Sequence, residues 1–223
     1  VLKDEDDLRE IKANLDQKYP YLKGNLDWVL HPENSYFEPG LTFGQRTTFL
    51  RTSVIPAGCY FSVAGKGIFG INIDSAALMQ AINTPACQFL VSLRKERLAI
   101  DPQYQEGDVA RIPFPELTHE EQELLKSDGV KNYKAVRLIS SFDEIDHSFI
   151  GPSFSNNEYQ KTVDSSLSLI EKSESRANQL LLEKLNLDKG DLRFIDEQIA
   201  ERWTKRRASN WYKYDYRDPF SYL

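Results

Sequence analysis

Between Leu41 and Ile73 the chain carries Arg46, Arg51 and Lys66 and not one Asp or Glu. Gln45, Thr47, Thr48, Thr52 and Ser53 are interleaved with these cations. Guanidinium and amide groups form paired hydrogen bonds with base edges in the major groove of DNA, while hydroxyl and ammonium groups hold phosphate oxygens. A second cationic run, from Arg202 to Arg217, sets Lys205, Arg206, Arg207 and Lys213 among Trp203, Trp211, Tyr212, Tyr214 and Tyr216, a mixture suited to a nucleic-acid backbone or a docking surface. Both runs have plainer readings. The stretch "GQRTTFLRTS" also fits the solvated face of an antiparallel sheet. The second run also fits a helix end whose Arg and Lys meet the last carbonyls while aromatic rings cover a core. Residue content leaves both pairs of readings open.

Other constellations point away from catalysis. Gly65-x-Gly67-x-x-Gly70 has the letters of a nucleotide-binding loop. It stands among strand-like residues with no helix opening on it, and reads as a hairpin turn. His147 follows Asp146, but neighbours along a chain rarely face each other, so a surface histidine is the reading rather than a general base. His31, His119 and His147 are too scattered for metal-ligand spacing. Cys59 and Cys87 lie in apolar surroundings without a Cys-x-x-Cys pattern, which predicts free buried thiols and suits a reducing cytoplasm. No catalytic, cofactor-binding or metal-binding residue is expected in the chain.

Composition limits the rest. With 223 residues, 40% hydrophobic and 28% charged, the chain can bury one core, or one core plus a helical appendage. No apolar run approaches the roughly 18 residues of a membrane span, so no membrane is expected among the partners. The net charge of −6 means that any contact with a nucleic acid depends on locally segregated cations. The start, "VLKDEDDLREIKANL", has no signal-peptide character. A chain opening on Val1 is expected to be a piece of something longer.

The elements that must position these residues follow from the patterning. Leu8, Ile11 and Leu15 form a helical stripe that breaks at Tyr19-Pro20. From Asn34 to Asn72, turn residues punctuate short β-branched and aromatic runs, which predicts strands of a small twisted sheet. Asp74 or Ser75 caps a helix with Ala77, Leu78, Ala81 and Ile82 on one face, and Thr84-Pro85 opens a continuation, either a kinked helix or a new one. Asp108 to Ile112 reads as a strand ending at Pro113-Phe114-Pro115, and Thr118 with Glu121 is a capping box. Residues 127–156 look looser, beginning with Ser127-Asp128-Gly129. Two helical patterns follow, separated by Asp188-Lys189-Gly190, and are expected to form a hairpin. The predicted fold is α+β: a small twisted antiparallel or mixed sheet with packed helices in residues 1–155, then a helical region in 156–223.

Taken in order, "YFEPGLTFGQRTTFLRTSVIPAGCYFSVAGKGIF", "ALMQAINTPACQFLVSL" and "YQEGDVARIPFPEL" resemble the PglX-type adenine-specific DNA methyltransferases of phage-exclusion (BREX) systems and their type II restriction-modification relatives. Asp143-Glu144-Ile145-Asp146-His147-Ser148-Phe149-Ile150 with Pro152 is similar to a further segment of that family. The middle of the chain is also similar to specificity domains of TaqI-like methylases and type I restriction subunits. The catalytic Asn/Asp-Pro-Pro-Tyr/Phe tetrapeptide does not occur here; His31-Pro32-Glu33-Asn34 and Asn83-Thr84-Pro85-Ala86 are its nearest look-alikes. The resemblance therefore implies a carboxyl-terminal target-recognition portion, with S-adenosylmethionine held by an upstream methyltransferase domain of the same protein. It implies double-stranded DNA as the partner, possible subunits of a defence complex beside it, and a cytoplasmic location. Gln45, Arg46, Thr47, Thr48 and Arg51 are the expected DNA contacts, with Lys66 at a phosphate and Lys205, Arg206 and Arg207 as a further basic set. Asn83 is expected to brace the junction between strand and helix. The alternative is a protein-interaction scaffold within a defence complex.

Overall fold

The structure, a computed structural model, describes residues 9–26, 29, 37–46, 50–59, 65–70, 72–93, 103–146, 149–151, 159–188, 190–195 and 197. Helix α1 (Arg9–Lys18) buries none of its residues. It stops where proline removes a backbone donor, and a 3-10 turn (Pro20–Leu22) ends on Lys23 in the left-handed region at φ 51°. The sheet consists of β1 (Gly40–Gly44), β2 (Thr52–Ile55) and β3 (Gly65–Ile68), in the order β2-β1-β3 with both pairs antiparallel. Leu41 lies opposite Val54 and Ile68, and Phe43 opposite Thr52 and Lys66, so alternation puts these side chains on the core face.

Gly65 and Gly67 belong to a strand and not to the hairpin turn expected of them. The reason lies on the outer face of the sheet, where the Phe69 ring rests against Gly40 and Gly67. A Cβ on Gly40 would come within 2.6 Å of that ring, so these glycines make room for a flat side chain.

Helix α2 (Ser75–Ile82) starts at Asp74, whose carboxylate accepts from the Ala76 amide at 2.8 Å. Thr84 then caps a separate helix, α3 (Pro85–Ser92), accepting from the Cys87 amide and donating to the Ala81 carbonyl at 2.7 Å. The two faces of α2 differ in size. Leu78, Met79 and Ile82 pack with Leu41, Phe43 and Leu50 of the sheet region. Ala77 and Ala81 pack with Leu125, Ala177 and Leu181 of the helical layer. Large side chains fill the gap to the sheet, and small ones let other helices approach closely.

The strand expected at Asp108–Ile112 is instead helix α4 (Glu106–Val109), followed by irregular chain. Asp108 reaches back to the Gln105 amide at 2.8 Å and closes a helical turn, while Val109 and Ile112, three residues apart, face the same core. Helix α5 (His119–Ser140) opens on the Thr118–Glu121 capping box and continues through Ser127-Asp128-Gly129, where a loosening was expected. These residues serve a helix crossing. A Cβ on Gly129 would come within 2.9 Å of the Ala76 carbonyl carbon, and the buried Asp128 receives the Arg176 guanidinium, with Nε at 2.9 Å.

Helix α6 (Tyr159–Lys184) runs antiparallel to α5. Pairing proceeds from Lys184 with Glu121 at 2.9 Å, through Ser173 with Asn132 at 2.7 Å, to the Phe142 and Tyr159 rings at 4.8 Å. Beyond α6 the chain turns helical again at 190–195, where Asp188 accepts from the Asp191 amide at 2.7 Å and Phe194 meets Phe89 edge-on. The chain is thus α+β: a three-stranded antiparallel sheet, α2 and α3 against it, and the α5–α6 pair outside them.

Candidate nucleic-acid interface

The strand register collects residues that are distant in sequence. Gly44 pairs with Gly65 at one end of the sheet. There β1 runs directly into Gln45 and Arg46, β2 is entered from Leu50 and Arg51, and β3 begins with Gly65 and Lys66. Gln45, Arg46, Arg51 and Lys66 therefore share this end. Thr47 and Thr48, and the basic set Lys205, Arg206 and Arg207, lie outside the described residues, as does His147.

Arg51 sits between two anchored peptide groups. On one side the Leu50 carbonyl accepts from Gln88 Nε2. On the other, Asn83 Oδ1 accepts from the Thr52 amide at 2.9 Å, and Asn83 Nδ2 donates to the Thr52 carbonyl at 3.0 Å. The Thr52 hydroxyl adds a bond to Asn83 Oδ1 at 3.3 Å. Asn83 thus ties the end of α2 to the first residue of β2, the bracing role its position suggested. Gln88 does the same for the preceding residue from α3. The partly exposed Arg51 projects from a backbone with little freedom.

Arg46 is exposed and forms an isolated antiparallel bridge with Gln103. The Tyr104 amide donates to the Gln45 carbonyl at 2.8 Å, and the buried Tyr104 ring belongs to the same core as Phe43. With its amide oxygen toward the guanidinium, Gln103 accepts from Arg46 Nε at 3.2 Å and Nη2 at 3.1 Å. A strap of residues 103–109 therefore crosses this end of the sheet.

Lys66, expected at a phosphate, is held by an acid of the protein itself. Its side chain is only 10% exposed, and its ammonium donates to Glu106 Oε1 at 2.7 Å; Glu106 itself is 63% exposed. A lysine removed from water needs an anion beside it. In this arrangement that anion is Glu106, and a phosphate reaches Lys66 only if the pair opens. The segment from Leu41 to Ile73 is free of acids along the chain but not in space, because the tertiary fold returns an acid to it.

Cys87, in the same core, is no candidate nucleophile. Burial pushes the Cys87 thiol up to about 12, far from the range in which a thiolate forms at neutral pH. The apolar crevice beside it, lined by Ala86, Ile112, Phe114 and Leu181 among others, presents no polar side chain to orient a substrate. Among the described residues there is no group of three or more His, Cys, Asp or Glu able to hold a metal, and no helix is long and apolar enough to cross a membrane. Sequence reasoning missed Gln88, Gln103 and Glu106. Each is a single polar residue whose importance depends on which backbone it meets. Compared with known proteins, the chain matches no family model, no curated protein and no solved structure.

Proposed function

We propose that this chain is the DNA target-recognition part of a site-specific N6-adenine DNA methyltransferase from a restriction-modification or phage-defence system. The observation that carries the reading is the gathering of Gln45, Arg46 and Arg51 at one end of the sheet, with Arg51 braced by Asn83 and Gln88. A braced arginine loses little freedom when its planar fork meets the O6 and N7 acceptors of guanine. The order of segments, which resembles that of PglX-type enzymes, supports the same reading. S-adenosylmethionine and base flipping belong, in this reading, to an upstream domain of the same protein, and the present chain holds the duplex in register and reads flanking bases. Selection from a pooled random-duplex library at low and moderate salt tests it. Enrichment of a defined site, lost in the Arg46→Ala/Arg51→Ala variant, is the expected result; no enrichment at any salt overturns it.

A second reading, docking onto another subunit, has one observation in its favour. The loop after α5 is braced by the Ile150 amide on the Ser141 carbonyl at 2.9 Å and the Asp146 amide on the Asp143 carbonyl at 3.0 Å. It nevertheless exposes Ile145 at 85% and Ile150 at 70%, beside Asp143, Glu144 and Asp146. Salt-insensitive association with a protein partner, abolished by Ile145→Ser/Ile150→Ser, together with absence of DNA binding, distinguishes it.

A further inference from the structure

We infer that Lys66 and Arg46 form a phosphate site that the strap of residues 103–109 occupies from within, Glu106 standing where a backbone phosphate of the duplex binds. The inference rests on the recognition reading and adds an anion-exchange step to it. The side chain of Lys66 is largely buried, yet its partner carboxylate is mostly exposed, so the lysine is the fixed member of the pair and the glutamate the exchangeable one. A phosphodiester carries one negative charge, as a carboxylate does, and swapping one for the other leaves the ammonium neutralised throughout. The competitor is tethered. Tyr104, in the core, holds the strap on the sheet through the Gln45 carbonyl, which keeps Glu106 at high effective concentration beside Lys66. Gln103 of the same strap meets Arg46, so both cations are contacted by one segment. Duplexes that supply a phosphate at the right place displace the Glu106 carboxylate; other polyanions meet a site already filled.

Glu106→Gln removes the competing charge and keeps an amide oxygen beside Lys66, and its melting temperature without ligand serves as the baseline. Compared with the unsubstituted protein, this variant is expected to bind duplex about five-fold more tightly at low salt. Its slope of log affinity against log salt should be steeper by about one, because one more phosphate is neutralised. Adding Lys66→Met, which keeps the apolar stem of the side chain, should cancel both changes. Inorganic pyrophosphate serves as a second probe that needs no base recognition. At millimolar concentration it should raise the melting temperature of the Glu106→Gln variant by about 2 °C, with no rise once Lys66→Met is added. Equal duplex affinity and slope with and without Glu106→Gln, or a gain that survives Lys66→Met, overturns the phosphate site. Absence of duplex binding by every variant, with pyrophosphate still stabilising Glu106→Gln, overturns the recognition reading and leaves the anion site standing. Absence of both responses overturns both.

Discussion

Asn83 concentrates three hydrogen bonds on one residue of β2, and its loss should be felt both in stability and at Arg51. Asn83→Ala leaves the Thr52 amide and carbonyl without that partner, which is expected to cost about 2 kcal/mol in urea unfolding. The same variant should weaken duplex binding, through a loosened Arg51 and without removing any cation. Cys87 gives a different kind of residue-scale prediction. Its thiol is protonated in the folded state up to about pH 12, whereas an unfolded thiol ionises near the ordinary value of 9.0. The unfolded chain therefore releases a proton first as pH rises, and the stability present below pH 9 is lost progressively toward pH 12. Between pH 9 and pH 10 the loss should reach roughly 1 kcal/mol. Unfolding curves of Cys87→Ala should lack that component, and native Cys87 should resist a thiol reagent that labels it after unfolding.

At the scale of elements, several boundaries were legible. Asp74, Thr84 and Thr118 cap helices where their side chains and spacing indicate, because capping is satisfied within a few residues. Glu121 extends the Thr118 cap across the fold. The Lys184 ammonium, then the Thr118 amide, hold its carboxyl below the usual range. Its contribution is therefore present above the ordinary carboxylate pKa and is lost as pH falls through the lowered folded value; Glu121→Gln should flatten that part of an acid-unfolding profile. Gly129 and the Asp108 segment depart from expectation for different reasons. Glycine beside Ser-Asp is a turn signal only when no second helix needs the space, and a short apolar run does not distinguish alternation from helical spacing. Gly129→Ala tests the packing explanation. Helix propensity alone predicts a gain of up to about 1 kcal/mol. Contact with Ala76 should reverse the sign and lower stability by about 1–3 kcal/mol, as a fall in melting temperature would show.

At the scale of the molecule, α2 contributes to the core against the sheet and to the core against α5 and α6. Ile73 and Phe114 touch both. The sheet cannot unfold without exposing one face of α2, and α6 cannot leave without exposing the other. Calorimetric and van't Hoff enthalpies should agree for the part of the chain built on this shared helix. Arg176→Met provides a second whole-molecule test. It strands the buried Asp128 carboxylate between α5 and α6 and should lower stability by about 3 kcal/mol, an effect reduced when Asp128→Leu is added. The net charge of −6 acts at this scale as well, since any contact with a polyanion depends on locally gathered cations.

Taken alone, the sequence determined the α+β class, the first two strands and the starts of α2, α3 and α5. Each of these depends on local chemistry: β-branched runs and side chains that cap their own helix. The partners of the cations were decided only by tertiary structure. An acid-free stretch from Leu41 to Ile73 states nothing about Glu106, which comes to Lys66 from forty residues away, nor about Gln103 on Arg46 or Gln88 behind Arg51. Electrostatic neighbours and backbone anchors are set by which elements pack together. That choice follows from burying the two faces of α2, and is not written in the residues that carry the charge.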